Sequence, residues 1–447
     1  MKLTPPALLA PLLARPAAIL GGGVSGRAAH LLMARLGGTA VIYDEHGKGG
    51  GRAAFTVAEA CMHRLVVCSP GFAPTHPWLV AARSAECVCL GELDFAALCW
   101  RGRVVAITGT NGKTTLTEFL AHALRMLGCD ATAVGNTGHA FAQLVAETGG
   151  GAVDATAVVE VSSFQSETLQ HLRAAAVLWT NFAEDHLERH GSMEKYFAAK
   201  ENLLTRAAPE KYFVGPSVAR AAEKLRRLLP SGALVTTEQQ PGDTRLVGTA
   251  FENYPQRENF LLAAAWWRAA GLSEDALFVA ARTFRLGAHR LARVAQHDGV
   301  TWWDDSKATN FHAAEAAVAS FAAPVIAILG GKSKGGDVAA FIGRIAPQVR
   351  HALLIGETRA ALSAACAKHD VAHTDCATLA AAVRHAVTFA HPGDHVLLSP
   401  AFASFDQFNG YADRGTQFAK LVESLAAMPV AAPFAALLSS TLVASSP

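Results

Sequence analysis

The stretch VVAITGTNGKTT, residues 104–115, carries the clearest structural signal in the chain. A β-branched apolar run leads into a glycine-rich turn, and apolar residues follow at helical spacing over 116–127. Strand, turn and helix in this order are the context of a phosphate-binding loop, in which backbone N–H groups and the start of a helix face an anion. The sequence therefore predicts a nucleotide-binding turn here.

The end of this turn supplies the chemistry. Lys113 can reach the terminal phosphates, and the hydroxyl of Thr114 suits Mg²⁺. The turn is the shorter G-x-x-G-K-T form, because Ile107 stands where the common pattern has its first glycine. A tight turn with an exposed lysine is the alternative, but the two flanking elements and the Lys-Thr pair favour phosphate. The residues expected to surround the phosphates in this turn are Gly109, Thr110, Asn111, Gly112, Lys113, Thr114 and Thr115.

Composition limits the classes of protein that fit. A chain of 447 residues predicts two to four domains, and a net charge of +2 does not suggest nucleic acid as a partner. The eight cysteines form no C-x-x-C pair, so we interpret them as reduced thiols of a cytoplasmic protein. No uninterrupted apolar run reaches the ~20 residues of a membrane span, so no membrane partner is expected.

The first part of the chain resembles the start of a dinucleotide-binding fold. A strand at 17–20 is followed by the G-x-G-x-x-G pattern of Gly21, Gly23 and Gly26, and a second strand ends at Asp44, near the place where a ribose would be bound. Taken alone, the pattern suggests a dinucleotide. The alternative is a turn that only permits close packing of helix and strand, because lone glycine fingerprints are weak. We expect a small α/β domain that binds a nucleotide-bearing ligand.

Polar residues follow two later strands of the middle part. Glu160 comes near the end of a strand at 155–161, and His186 follows a strand at 176–180, with Lys200 on the next helix. Ligands of open α/β sheets bind at the carboxyl ends of strands, so Glu160 is the expected second contact of Mg²⁺. A lone histidine is usually structural and a lone lysine usually solvated, but their placement after successive strand ends favours a shared site.

Alternating strands and helices predict the fold class. Beyond residue 287, strands at 301–303, 325–329, 351–355 and 395–398 alternate with helical patterns, as in a doubly wound domain. We predict an α/β protein of three domains, with Rossmann-like first and last domains and a parallel P-loop sheet between them. The expected bounds are 1–95 for the first domain, 96–286 for the P-loop domain, 287–428 for the last domain and 429–447 for an Ala/Ser-rich tail.

These motifs together resemble the Mur ligases, the ATP-dependent amide ligases of peptidoglycan precursor synthesis. The GTNGKTT turn is similar to that of all Mur ligases and of folylpolyglutamate synthase. The runs EVSSFQ at 160–165, DSKATN at 305–310 and LSPA…SFDQF at 398–408 resemble the branch that adds D-glutamate. The resemblance implies a monomer that joins D-glutamate to UDP-N-acetylmuramoyl-L-alanine through an acyl phosphate. It also implies that the three domains bind UDP, ATP and the amino acid, so the glycine pattern holds a pyrophosphate.

The resemblance also implies roles for individual residues. The catalytic set is Lys113, Glu160, His186, Lys200 and Arg290. Thr114 and Glu160 would hold one Mg²⁺ ion, and His186 and Lys200 a second, with Lys200 carried as a carbamate. The residues implied for the UDP substrate are Gly23, Val24, Ser25, Asp44, Ser69, Gly71, Asn136, Ser162, Gln165 and His186. Those implied for ATP outside the turn are Asn259, Arg290, Asp304, Lys307 and Asn310. Those implied for the amino acid are Lys334, Ser404, Phe405 and Tyr411.

The sequence departs from the family pattern at three places. Glu45-His46 replaces a Thr-Arg pair expected for uracil and phosphate, Pro255-Gln256 replaces a His-Asn pair near adenine, and Tyr411 replaces a phenylalanine. Other functions stay open at this point. They are ligation of L-glutamate, a folylpolyglutamate-type ligase, and a nucleotide-binding oxidoreductase, which would have no use for Lys113 or Glu160.

Overall fold

The computed structural model describes residues 2–208, 211–230, 234–235 and 243–425. Contacts divide the chain into two compact units, Met1–Leu286 and Gly287–Pro447. The predicted tail at 429–447 lies outside the described residues. Within those described ranges, no helix has both the length and the apolar character needed to cross a membrane.

The first unit begins with a four-stranded parallel sheet. Its strands are β1 (Ala17–Leu20), β2 (Ala40–Tyr43), β3 (Leu65–Cys68) and β4 (Val88–Gly91). Its helices are α1 (Val24–Arg35), α2 (Val57–Ala60), α3 (Pro77–Ser84) and α4 (Glu92–Cys99). The strand order is β2-β1-β3-β4, so the chain reverses direction across the sheet beside β1. The ends of β1 and β3 therefore lie together at a topological switch point, where α/β sheets bind ligands.

A second, six-stranded parallel sheet follows in the same unit. Its strands are β5 (Arg103–Thr108), β6 (Ala131–Gly135), β7 (Thr156–Glu160), β8 (Ala176–Trp179), β9 (Tyr212–Val214) and β10 (Leu234–Val235). Its helices are α5 (Lys113–Met126), α6 (Phe141–Thr148), α7 (Ser163–Ser166), α8 (Leu187–His190), α9 (Met193–Leu204), α10 (Pro216–Lys224), α11 (Gln256–Ala269) and α12 (Glu274–Thr283). The order β10-β9-β8-β5-β7-β6 places β5 between β7 and β8, so three strand ends meet at the predicted phosphate turn.

The second unit contains the third sheet. Its strands are β11 (Ala292–His297), β12 (Val300–Asp304), β13 (Val325–Gly330), β14 (Val349–Ile355), β15 (His373–Ala377) and β16 (His395–Leu398). Its helices are α13 (Phe311–Ala319), α14 (Val338–Ile345), α15 (Arg359–Lys368), α16 (Leu379–Phe389) and α17 (Tyr411–Leu425). The order is β11-β12-β16-β13-β14-β15, and only the β11–β12 pair is antiparallel among the pairs described.

The predicted α/β class with parallel sheets is confirmed, whereas several helix starts are not. The apolar spacing of the sequence predicts helix starts at Arg27, Leu116 and Asn259. Helices α1, α5 and α11 begin three residues earlier, at Val24, Lys113 and Gln256. Apolar spacing detects only the buried face of a helix. The first turns of these helices are polar or glycine-rich, so they carry no such signal.

Helix α4 joins the two sheets of the first unit through two buried carboxylates. Glu92 accepts a hydrogen bond of 2.6 Å from the N–H of Ala142 at the start of α6. Asp94 accepts hydrogen bonds from three consecutive N–H groups before β8, those of residues 170–172. The domain boundary after residue 95 falls inside α4, and the three-domain division stays a prediction.

We expect Glu92 to make stability depend on pH. Burial raises the pKa of Glu92 to about 7, while the N–H groups of Ala142 and Phe141 act in the opposite direction. The folded state then holds a proton that the unfolded state loses above pH ~4.3. The contribution of Glu92 to the free energy of unfolding therefore falls as the pH rises to about 7, by about 4 kcal/mol at most. Glu92→Gln should have a lower melting temperature than the wild type at pH 5. The difference between the two melting temperatures should be smaller at pH 8.

The exposed Glu223→Gln variant on α10 is the control for this measurement. If the melting temperature of Glu92→Gln lies below that of the wild type by the same amount at pH 5 and pH 8, Glu92 is not protonated in the folded protein.

Candidate active site

The turn after β5 packs directly against the end of β8. Gly109 has a φ of 151°, and a Cβ atom at this position would lie 1.8 Å from Thr180 Oγ1. The N–H of Thr110 donates to the carbonyl of Asn181 at 3.0 Å, and the N–H of Asn111 donates to Asn181 Oδ1 at 2.8 Å. Thr180 Oγ1 donates in turn to the carbonyl of Asn111 at 2.6 Å. Thr180 and Asn181, which had no assigned role in the sequence, therefore hold the phosphate turn.

Two lysines converge on one carbonyl of this turn. Lys113 Nζ donates to the carbonyls of Gly109 (3.0 Å) and Thr110 (2.8 Å), and Lys200 Nζ donates to the carbonyl of Gly109 (2.6 Å). Burial holds the pKa of Lys200 well below its usual range, and the charge of Lys113 lowers it further, whereas Asp185 and Glu160 raise it. The arrangement places a cation and a readily neutralised amine where a phosphate group would bind.

Glu160 supplies a carboxylate at the end of β7, beside this turn. It is 2% exposed, and its Oε1 accepts a hydrogen bond of 3.1 Å from Asn136 Nδ2. Its Oε2 is buried and has no hydrogen-bond partner among the described residues. An unpaired buried carboxylate oxygen is costly unless a cation contacts it. This orphan oxygen fits a metal ligand.

Thr114 and Glu160 suit Mg²⁺ better than they suit a metal ion whose ligands all come from protein side chains. The described part of the chain holds no group of three or more His, Cys, Asp or Glu side chains that could bind a metal. Mg²⁺ commonly takes one or two protein oxygens together with phosphate and water oxygens. Thr114, in the first turn of α5, and Glu160 match that requirement.

The start of α11 closes another side of the turn. A Cβ atom at Gly112 would lie 2.4 Å from Asn259 Oδ1, so the Asn259 side chain lies directly beside the turn. Asn259 Nδ2 donates to Gln256 Oε1 at 2.8 Å. Gln256, one of the departures from the family pattern, thus orients the asparagine.

His186 lies at the edge of the same site. It has a φ of 54° and precedes the first residue of α8. Its Nδ1 lies 3.3 Å from Glu188 Oε1, its Nε2 lies 3.6 Å from Asp185 Oδ2, and its side chain is 30% exposed. A histidine between two carboxylates that still reaches solvent can accept a proton.

Two residues expected along the muramoyl substrate are engaged with each other. Ser162 Oγ accepts from the N–H of Gln165 at 3.2 Å, and Gln165 Oε1 accepts from the N–H of Ser162 at 2.9 Å. This capping box begins α7. The two side chains therefore cap the start of α7, as the S-x-x-Q spacing of a capping box allows.

The glycine turn of the first sheet depends on close backbone contact. A Cβ atom at Gly22 would lie 1.9 Å from the carbonyl oxygen of Lys48. Asp44 accepts hydrogen bonds from the N–H groups of Gly22 (2.8 Å), His46 and Lys48 (both 3.0 Å). Burial acts to raise the pKa of Asp44, but these hydrogen bonds lower it overall. Asp44 therefore stabilises the turn itself.

Space for a ligand remains beside that turn. Gly23, Val24 and Ser25 form the start of α1, where N–H groups favour an anion. Apart from residues 22–24 themselves, no described atom would lie within 4 Å of a Cβ atom at Gly23. The Ser69 hydroxyl, at the end of β3, is buried without a partner in the described chain. Gly71 follows in the same turn, so the predicted UDP residues of the two strand ends are brought together.

In the second unit Asp304 is the last residue of β12, and Lys307 and Asn310 lie in the loop that follows it. Asp304 Oδ2 lies 2.6 Å from His289 Nδ1, and the preceding segment carries Arg290. The Lys307 ammonium lies 3.7 Å from the ring centroid of Tyr411. Asn310 Oδ1 caps α13 through the N–H of Ala313.

The neighbouring carboxyl group, Asp305, was not among the predicted site residues. Burial raises the pKa of Asp305 to about 7, although hydrogen bonds from Ser399 Oγ (2.8 Å) and the Leu291 N–H (3.1 Å) lower it. Asp305 therefore joins the ends of β12 and β16 to the segment before β11.

Ser404, Phe405 and Tyr411, three of the four residues predicted to bind the amino acid, follow β16, whereas Lys334 follows β13. Ser404 is buried, whereas Phe405 is 70% exposed. Lys334 Nζ lies 3.5 Å from Thr309 Oγ1, beside the loop after β12.

Arg414 is a functional candidate that the sequence analysis missed. It is completely buried in α17 and donates to Ser306 Oγ and to the carbonyls of Ser306 and Phe402. Burial lowers the pKa of Arg414 to about 10, against the effect of Asp406, Asp304 and Asp305. An arginine on a helix face normally indicates a solvated side chain, so only the fold reveals that it fixes the loops after β12 and β16.

Fold and site together define a P-loop enzyme that uses a nucleoside triphosphate. Comparison with known families agrees, because residues 107–263 match the Mur ligase middle domain and residues 289–402 match the Mur ligase glutamate ligase domain. The chain belongs to the Mur ligase family.

Curated relatives extend over most of the chain. It is 34% identical to the UDP-N-acetylmuramoylalanine–D-glutamate ligase of Mycobacterium tuberculosis, covering 92% of this chain and 96% of the relative. It is 36% identical to the enzyme of the same name from Streptomyces coelicolor, covering 81% and 85%.

Solved structures share the fold at low identity. The UDP-N-acetylmuramate–alanine ligase of Thermotoga maritima has a TM-score of 0.58 at 15% identity, covering 92% of this chain and 99% of that one. A folylpolyglutamate/dihydrofolate synthase of Yersinia pestis has a TM-score of 0.50 at 18% identity, covering 72% and 89%. Both therefore support the fold alone.

We expect Lys113→Ala to abolish product formation while the protein stays folded. The loss of a charge aimed at the transferred phosphate should reduce turnover about a hundredfold or more. Turnover at saturating ATP and the melting temperature are the measurements, with the exposed Lys224→Ala variant on α10 as control. Near-normal turnover of Lys113→Ala would exclude this turn as the site of phosphoryl transfer.

Proposed function

We propose that this protein joins D-glutamate to UDP-N-acetylmuramoyl-L-alanine at the expense of ATP in peptidoglycan precursor synthesis. The relatives from Mycobacterium tuberculosis and Streptomyces coelicolor are named for this activity. The observation that carries the proposal is the convergence of Lys113, Lys200 and the unpaired Glu160 oxygen on the turn after β5. That arrangement suits transfer of a phosphoryl group to a carboxylate.

The reaction proceeds in two steps. The carboxylate of the L-alanyl group attacks the γ-phosphate of ATP, which gives an acyl phosphate and ADP. The amine of D-glutamate then attacks the acyl carbon, the C–O bond to phosphate breaks, and an amide, phosphate and a proton are released. Phosphoryl transfer depends mainly on positioning and charge neutralisation, which Lys113 supplies from the turn.

Other residues of the chain serve the same steps. His186, partly exposed between Asp185 and Glu188, accepts the proton of the attacking amine. Thr114 and Glu160 are the residues that would hold a Mg²⁺ ion, which would neutralise phosphate charge when bound. One ring nitrogen of His186 and a carbamate of Lys200 would hold a second ion, which leaves the other ring nitrogen of His186 to accept the proton.

The surroundings of Lys200 support the carbamate. An amine forms a carbamate with CO₂ only in its neutral form, and burial together with Lys113 favours that form by lowering the pKa. The product carries carboxylate oxygens, which are ligands that Mg²⁺ prefers. It would also replace a second positive charge beside Lys113 with a negative one.

We expect Lys200→Ala to be largely inactive and to regain part of its activity in acetate. A short carboxylate can stand in for the lost carbamate oxygens. Turnover with and without acetate is the measurement, and Lys195→Ala, an exposed lysine on the same helix α9, is the control. Full activity of Lys200→Ala without acetate would exclude the carbamate.

The amino-acid site is proposed at the end of β16, with Ser404, Phe405, Tyr411 and Lys334 around the glutamate. Arg290, Asp304, Lys307 and Asn310 are proposed contacts of ATP, as the family pattern implies. The enzyme is further proposed to act as a monomer in the cytoplasm.

A panel of amino acids tests the proposed reaction. Phosphate release should require ATP, UDP-N-acetylmuramoyl-L-alanine and D-glutamate together. An inverted α-carbon misplaces the amine, so L-glutamate should react about a hundredfold more slowly. A faster reaction with L-glutamate would overturn the stereochemical part of the proposal. Phosphate release that requires a folate in place of the UDP substrate would favour a folylpolyglutamate-type ligase.

A further inference from the structure

Arg189 connects the strand ends of the two sheets in the first unit. It lies on α8, three residues after His186. Its Nη1 donates to the carbonyl of Gly71 at 3.2 Å and its Nη2 to the carbonyl of Phe72 at 3.3 Å, both in the turn after β3. Nη2 also donates to Glu167 Oε2 at 2.9 Å, directly after α7. One guanidinium group therefore holds a turn of the first sheet against a helix of the second.

The same guanidinium also packs against Phe164, whose ring lies beside the ring of His186. Its central carbon lies 4.7 Å from the ring centroid of Phe164, and that ring lies 4.8 Å from the ring of His186. The Arg189 side chain is only 14% exposed, so water screens its charge weakly. Charged hydrogen bonds in such surroundings hold their partners more firmly than those at the surface.

Arg189 connects the turn after β3 with the surroundings of His186, and these two places are expected to contact different parts of the proposed substrate. The turn after β3 carries Ser69 and Gly71, which the resemblance to the Mur ligases implies as contacts of the UDP substrate. His186 is proposed to accept the proton of the amine that attacks the acyl carbon at the other end of that substrate. A ligand that reaches both must span the separation that Arg189 fixes.

We propose that Arg189 is a positioning residue that selects substrates by the length of the group between the diphosphate and the reacting carboxylate. This inference rests on the proposed function. A side chain that merely stabilised the fold would lower the melting temperature and change all Michaelis constants alike, whereas a length selector changes only the response to the UDP substrate.

Arg189→Met tests the proposal, because it keeps the aliphatic contact with Phe164 and removes the donors. Arg189→Lys keeps the charge but has no guanidinium fork for the paired carbonyls of the turn. Arg101→Met is the matched control. Arg101 also donates to two carbonyls of a turn, those of Gly149 (3.2 Å) and Gly151 (2.9 Å), but it lies at the opposite end of the second sheet.

The measurements are the melting temperature, the Michaelis constants of the three substrates, and kcat/KM for UDP-N-acetylmuramoyl-L-alanine and UDP-N-acetylmuramate. In the latter, the carboxylate lies one amino acid closer to the diphosphate. Loss of the charged hydrogen bonds should raise KM for the UDP substrate about tenfold, with the KM values for ATP and D-glutamate within about twofold. Preference for the longer substrate should fall by about the same factor.

Equal shifts of all three Michaelis constants, an unchanged preference, or an Arg189→Met variant that behaves like Arg101→Met would overturn the proposal. If Arg189→Met melts below the assay temperature, the same criteria apply to Arg189→Lys. A wild-type protein that forms no product would count against the proposed function. In that case, equal calorimetric affinity of Arg189→Met and Arg101→Met for UDP-N-acetylmuramoyl-L-alanine would overturn the role of Arg189 as well.

Discussion

The contact between the turn after β5 and the end of β8 determines the geometry of the first unit's site. No side chain fits at Gly109, because Thr180 Oγ1 occupies the space where its Cβ would lie. This close approach aims the Gly109 carbonyl at Lys113 and Lys200. The order of strands then brings Glu160 to the same place from β7. Binding geometry at this edge is therefore a consequence of backbone packing rather than of flexible side chains.

Both units handle buried charge by the same means. In the first unit the lysines at the turn donate to backbone carbonyls, with Glu160 and Asp185 nearby as countercharges. In the second unit Arg414 donates to backbone carbonyls, with Asp304 and Asp406 as countercharges. A buried cation that is paired in this way fixes the position of loops that would otherwise be free to move. Each unit thus presents its strand ends in a single arrangement.

The sequence was sufficient to predict residues at the end of a strand or at the end of the turn that follows it. Lys113 and Glu160 have local signals, because an apolar run ends beside them and parallel strands place such ends at one edge. Their convergence with Lys200 follows from that rule together with the family pattern.

Contacts between distant parts of the chain could not be predicted in this way. Arg414 reaches Ser306, which is 108 positions away, and nothing in its own neighbourhood indicates burial. The hydrogen bonds of Asp44 to the glycine turn depend equally on the fold, since an aspartate after a strand also matches a ribose ligand.

The central position of β16 constrains how the second unit can be made. β16 lies between β12 and β13, although it comes about 90 residues after β12 in the chain. Until residues 395–398 have emerged from the ribosome, the inner edges of β12 and β13 have no partner strand. Exposed edges of this kind invite pairing with other chains. During translation this half of the protein therefore depends on late-made residues, and chaperones that shield unpaired strands would act on it more than on a sheet built in sequence order.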